Sequence, residues 1–256
     1  MKIHIKLIAL CTLLSLAWLM PAQAQEQEGD NVARLAMITA RDGHEDALIK
    51  AITEYHHWVA NFEGHHEYTW FSIETGPNTG KYMARTGEHN WADFDAEYDW
   101  QKEANEVFKT NVAPHILKAE VQFTSEMTDF SNWPASFDGY THYAVEDWYI
   151  KNGEFGKFRR GLKKIVDTLK AAGYPNHWGF FSVESGGHGN NVRLVSANKG
   201  WSDMADTDPS FFKVMSEALG GEDEFNAFMS DWGSTFKTGL SQVVKVMPEA
   251  SDYGNE

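Results

Sequence analysis

The chain is predicted to be an α+β protein of two tandem βαββαβ units packed sheet to sheet, closing one intramolecular α/β barrel. Three observations lead there. A stretch recurs at a constant spacing: Trp70-Phe71-Ser72-Ile73-Glu74-Thr75-Gly76 is matched by Phe180-Phe181-Ser182-Val183-Glu184-Ser185-Gly186, 110 residues later. The same spacing of 110 relates Gly43 to Gly153 and Trp91 to Trp201. The helix-like apolar series Leu48, Ile52, Tyr55, Val59 also returns 110 residues on, as Phe158, Leu162, Ile165, Leu169. A constant register over this length is the mark of a copied structural unit.

In chain order, residues 1–24 read as an export signal. Lys2 and Lys6 precede an apolar run from Leu7 to Leu19, and Ala22-Gln23-Ala24 offers small residues for cleavage after Ala24. The run is short for a membrane span, and the mature chain is expected to be periplasmic or secreted. Residues 25–31 read as a disordered tail. The first repeat covers 32–126: a strand from Val32 to Thr39, a turn at Gly43, and a helix from His44 to Phe62 with its apolar steps of four and three. A strand from Glu67 to Thr75, a Gly76–Gly80 hairpin and a return strand from Lys81 to Thr86 follow. A second helix is predicted from Trp91, capped by Asn90, to Val112, ahead of a strand from His115 to Ser125. Both faces of the 67–75 strand carry apolar groups, so both are expected to be covered.

Residues 127–140 read as a linker, 141–248 as the second repeat and 249–256 as a tail. Matching Phe108-Lys109-Thr110 to Phe236-Lys237-Thr238 implies that the second repeat gained 18 residues near 206–224, where Phe211, Phe212, Met215 and Leu219 suggest an extra helix. The final strand is predicted from Ser241 to Met247. The element order is the ferredoxin-like split unit, whose open sheet face needs a partner sheet.

On this order, the duplication, the glycine before the first helix and the tryptophan before the second, the chain resembles the dimeric α/β-barrel superfamily. The resemblance implies a cavity between sheet and helices. It leaves the reaction open among cofactor-free monooxygenases, haem-dependent enzymes of the chlorite dismutase type, stress-responsive barrels and proteins without known activity.

Composition narrows the partners. Cys11 is the only cysteine and lies in the signal, so the mature chain has no disulfide and no thiolate chemistry. Without Lys2 and Lys6 the formal net charge moves from −15 to −17, which disfavours nucleic acid and anionic lipid. The candidate catalytic groups are the equivalent acids Glu74 and Glu184. Trp70, Tyr82, Phe180 and Arg193 join them as candidate ligand-binding residues. Arg85 and Arg193 are expected in surface ion pairs, unless one holds an anion. No metal site is predicted. Among His56, His57, His65, His66 and His89, the mixed pair His56 and His66 is the one that could meet. No cofactor is predicted, and no motif supports haem. Trp91 and Trp201 are expected to pin the second helix of each repeat to its sheet. The function expected is binding of a small apolar or aromatic molecule. The alternatives are an oxygenase, cofactor-free or haem-dependent, and an interaction module docking through the 206–224 insertion.

Overall fold

The computed structural model describes residues 31–205 and 207–251. The export signal and most of the N-terminal tail lie outside the described residues. The first repeat contains β1 (Val32–Ala40), α1 (Glu45–Val59), β2 (Thr69–Ile73), β3 (Tyr82–His89), α2 (Gln101–Asn111) and β4 (Ile116–Glu126). The second contains β5 (His142–Ile150), α3 (Phe155–Ala171), β6 (His177–Ser185), β7 (Asn191–Asn198), α4 (Phe211–Leu219), α5 (Glu222–Gly233) and β8 (Phe236–Val246).

The eight strands close a ring in the order β1-β3-β2-β8-β5-β7-β6-β4. Each repeat supplies four neighbouring strands, and the two sheets join through the antiparallel pairs β2–β8 and β4–β6. Alternation along each strand therefore divides side chains between the inside of the ring and an outer layer under the helices. Inside lie Leu35, Phe71, Ile73, Met83, Val145 and Val244. Outside the first sheet, Trp70, Ile38 and Ala84 pack beneath Leu48 and Ile52 of α1. Outside the second, Trp148, Trp178 and Phe180 pack beneath Phe158, Leu162 and Ile165 of α3. The predicted helix faces are the buried ones, and burying a side chain such as Phe158 stabilises by about 2–3 kcal/mol. The double coverage of the β2 strand is also as expected.

Local chemistry sets the ends. Gly43 and Gly153 take φ of +76° and +82° ahead of α1 and α3, a region where a Cβ is strained. Gly76 and Gly186 leave β2 and β6 at φ of +85° and +79°. There a Cβ would meet the carbonyl oxygen of Ser241 or of Val121 on the neighbouring sheet. These equivalent glycines let the two sheets approach at both seams.

The internal symmetry extends past the sheets. After β4, Met127 N donates to Phe180 O, and Ser131 Oγ accepts from Phe180 N at 3.2 Å. After β8, Met247 N donates to Trp70 O, and Ser251 Oγ accepts from Trp70 N at 2.8 Å. Each repeat thus ends in a 3-10 turn seated on a seam strand of the other, β6 or β2.

Several boundaries differ from expectation. The spacing is 110 through β7 but 120 at β8, since Phe236 matches Ile116 and Met247 matches Met127. The gain is therefore ten residues rather than 18, and Phe236 begins the last strand whereas Phe108 lies in α2. Matching three residues by identity had joined a helix to a strand. The predicted 249–256 tail begins in the Pro248–Ala250 3-10 turn, where Ala250 and Ser251 are buried. The predicted helix from Trp91 is instead a 3-10 turn, Trp91–Asp95, followed by extended Ala96 and a separate α2. Asn90 does precede that turn, with its N–H donating to Asp93 Oδ2 at 2.8 Å. Trp91 and Trp201 do not pin a helix. They are 43% and 52% exposed, lying on Phe123 and on His142. The inserted α4 turns Val214 and Met215 into the second core, so its apolar face is already covered.

Candidate functional site

The break between the 91–95 turn and α2 opens a cleft in the first repeat. Extended Ala96 carries the chain away from the sheet, and Gln101 Oε1 accepts from Tyr98 N to start α2. Trp100 is held by Nε1–H donation to Glu63 O at 3.0 Å and by stacking on Phe62. The cavity left between α1 and α2 is about 490 Å³, with Tyr55, Phe94, Asp95, Trp100, Gln101 and Asn105 in its walls. Burial, with Tyr68 nearby, pushes the Tyr55 phenol above its ordinary value, so it is a proton donor at neutral pH.

Two imidazoles stand behind the Phe94 wall. His66 and His89 have ring centroids 4.5 Å apart, and Phe94 contacts both, at 5.6 Å and 5.0 Å. His89 Nε2 shares a 2.6 Å hydrogen bond with Thr86 Oγ1, and its Nδ1 faces Asp93 at 3.7 Å. Burial lowers the pKa of both. The neighbouring His89 adds to the effect at His66, while Asp93 opposes it at His89. Both rings are therefore neutral at pH 7.

The other predicted site residues go elsewhere. Glu74 and Glu184 are exposed strand-end acids, with three strands between β2 and β6 in either direction round the ring. Each accepts a hydrogen bond from the serine two residues earlier, Ser72 or Ser182. Trp70 is buried and donates from Nε1 to His56 Nε2 at 2.8 Å. Tyr82 is half-buried, its pKa raised by burial and by Glu45 and Asp46. Phe180 is buried against Trp148. His56 packs on Tyr55, Tyr68 and Trp70, whereas His66 packs on His89 and Phe94. Among the described residues no group of three or more His, Cys, Asp or Glu is placed to hold a metal ion.

Arg193 is not in a surface ion pair. It lies inside the ring, bidentate to Asp147 at 2.7 Å and 3.0 Å, with Gln122 Oε1 at 3.3 Å. Arg85, half-buried on the inner face of β3, has its pKa lowered by burial against the opposing pull of Glu88, Glu126 and Tyr143. Away from water on this inner face, the Arg193 charge is tolerated because Asp147 pairs with it through two hydrogen bonds.

This architecture is the dimeric α/β-barrel fold in its tandem form. Solved structures share it at low sequence identity. A variant chlorite dismutase from Candidatus Nitrospira defluvii in complex with cyanide superposes with a TM-score of 0.53 at 9% identity, over 87% of this chain and 93% of that one. A proposed monooxygenase from Lactobacillus acidophilus NCFM gives 0.50 at 9% identity over 85% and 99%. An anthrone oxidase-like protein gives 0.50 at 10% identity over 86% and 92%. No protein-family model and no curated protein matches the chain. Among the described residues no helix is long and apolar enough to cross a membrane.

Haem, which a likeness to chlorite dismutase-type enzymes implies, does not fit the residues present. Helices α2 to α5 carry no histidine. The layer outside the second sheet is filled by Trp148, Phe158, Trp232 and Phe236, with ring centroids 5.0–6.2 Å apart. On α1, His57 is exposed, and His56 already uses Nε2 to accept from Trp70. An iron ligated there would displace a buried hydrogen bond and the aromatic rings around it.

Proposed function

We propose that the protein is an oxygenase of the dimeric α/β-barrel type that works without haem on a small planar aromatic substrate, bound in the cleft between α1 and α2. The observation that carries the reading is the asymmetry between the repeats. The first keeps a cavity walled by Tyr55, Phe94 and Trp100, while the second, where Ile165 of α3 stands in the place of Tyr55, is filled by Val214 and Met215 of the inserted α4. The three aromatic rings offer faces for a planar ring to stack on, and Asp95, Glu97, Gln101 and Asn105 offer hydrogen-bond partners for its polar substituents. The Tyr55 phenol would donate to that oxygen. The neutral pair His66 and His89 would accept the proton whose loss leaves an electron-rich anion able to reduce dioxygen directly. The proton acceptor lies behind Phe94, so the reading requires that ring to turn aside on binding.

Oxygen uptake by the purified protein with anthrone, in the absence of added cofactor, tests this. Uptake that falls about tenfold or more in His66→Ala and His89→Ala supports general-base chemistry. Quenching of Trp100 fluorescence without oxygen uptake would reduce the reading to ligand binding, and absence of both would overturn it. We also propose that residues 1–24 direct export. N-terminal sequencing of the protein from its own host should begin at Gln25, and a sequence that begins at Met1 would refute this.

A further inference from the structure

The cleft between α1 and α2 carries charge of one sign. Its walls include Asp95 and Glu97, and no lysine, arginine or histidine. Ala96 between them is extended, at φ −66° and ψ 131°. Side chains two apart on an extended chain leave on the same side, with Cα atoms about 7 Å apart. The break before α2 therefore presents both carboxylates to one cavity, where a continuous helix would have sent them to nearly opposite faces. Asp93, two residues earlier, already accepts from Asn90 N at 2.8 Å. Among the described residues Asp95 and Glu97 have neither a hydrogen bond nor an ion pair. The charge belongs to this repeat alone, since 110 residues on the chain has Ala205 and Thr207.

The exposed Asp95 and Glu97 stand at the mouth of the cavity, and the half-buried Tyr55, Phe94 and Trp100 stand deeper. Two carboxylates are too few for a metal ion such as Ca²⁺, which takes roughly six to eight oxygens. Among the described residues no group of three His, Cys, Asp or Glu supplies the rest. A cavity of about 490 Å³ is instead of the size that holds organic molecules. Its walls select by charge. A cation is attracted by the carboxylates and by the negative faces of the rings, and an anion is repelled by both. The formal net charge of −15 adds a longer-range field of the same sense.

We propose that the ligand of this cleft is a small aromatic molecule carrying an alkylammonium group, with its ring against Tyr55, Phe94 and Trp100 and its cation at Asp95 and Glu97. This names a substrate class within the oxygenase reading, and rests on that reading for the cleft being the substrate site.

Three probes of one shape test it: 2-naphthylmethylammonium, the neutral 2-naphthalenemethanol and the anionic 2-naphthoate, each titrated into the purified protein by ligand-observed NMR. The ammonium should bind about tenfold more tightly than the alcohol, and the naphthoate weakest of the three. The ammonium's advantage should shrink as sodium chloride is raised. Asp95→Asn with Glu97→Gln should bring the ammonium down to the affinity of the alcohol. Asp95→Lys with Glu97→Lys should reverse the order and make the naphthoate the tightest, a gain that a misfolded variant would not produce. An alcohol that binds the wild type as tightly as the ammonium overturns the proposal. So does an order that survives the double lysine variant, or a wild type that binds none of the three. Oxygen uptake with anthrone is judged separately. Uptake without an ammonium preference removes the cation assignment alone, and an ammonium preference without uptake removes the oxygenase reading alone.

Discussion

Replacing Asp147 by alanine tests whether the inside of the ring is as dry as its geometry implies. Arg193 and Asp147 form a bidentate pair with side chains only 10% and 6% exposed. Without Asp147, the guanidinium keeps a single neutral acceptor, Gln122 Oε1 at 3.3 Å, and water has little access. Breaking such a pair from one side costs about 3–5 kcal/mol, because a charge stays buried without its partner. Replacing both residues by apolar ones, Asp147→Leu with Arg193→Met, should recover most of that loss. The control is Asp167→Ala. Its pair with Lys163 is as short, at 2.8 Å, but 63% and 56% exposed, so its loss should cost no more than about 0.5 kcal/mol. Urea unfolding followed by tryptophan fluorescence reads all four proteins. If Asp147→Ala costs no more than Asp167→Ala, the interior is hydrated and the reasoning fails.

Three further outcomes follow from the same geometry. Gly76→Ala and Gly186→Ala should each destabilise by about 2 kcal/mol or more, since both combine positive φ with a carbonyl in the way, and urea midpoints check this. Ser131→Ala and Ser251→Ala should each cost about 1–3 kcal/mol, because each strands a backbone N–H of the opposite repeat, and hydrogen exchange at Phe180 and Trp70 should rise accordingly. Stability should fall with acidification below the ordinary imidazole value of 6.5. His66 and His89 are depressed in the fold, so the unfolded chain binds more protons between that value and their folded ones. The decline should be shallower in a His66→Phe variant, and a thermal midpoint equally pH-sensitive in that variant would contradict it.

The architecture was largely legible in the sequence because two independent periods agreed, the helical step and the repeat of 110. The layered sheets followed from apolar residues on both faces of one strand, with Trp70 outward and Phe71 inward. The candidate site was not legible. The run from Trp91 to Gln101 is rich in aromatics and acids but has no apolar stripe at helical spacing. That lack was the signal that it would not form a continuous helix. Arg193 was misplaced because a charged residue on a strand usually faces water, whereas a closed ring gives each strand an inner face with no water to meet. Glu74 and Glu184 drew interest by recurring. Both are explained by their serines, and what recurs there is a copied strand end. The asymmetric groups, Phe94, Trp100 and the His66–His89 pair, carry the proposed chemistry, and a search guided by repetition passes over them.

The seams of the ring also govern how the chain reaches this structure. β2 waits for β8, so Ile73 meets Val244 across 171 positions of chain. The first repeat can form its own four strands early, but its β2 edge and the Trp70 backbone stay uncovered until the last strand and the Met247–Ser251 turn arrive. A chain halted before residue 236 therefore holds two open edges, β2 and β5, each a template for the wrong partner. Closure this late in the sequence makes ring formation slow and leaves the unfinished protein exposed to aggregation for as long as its C-terminus is missing.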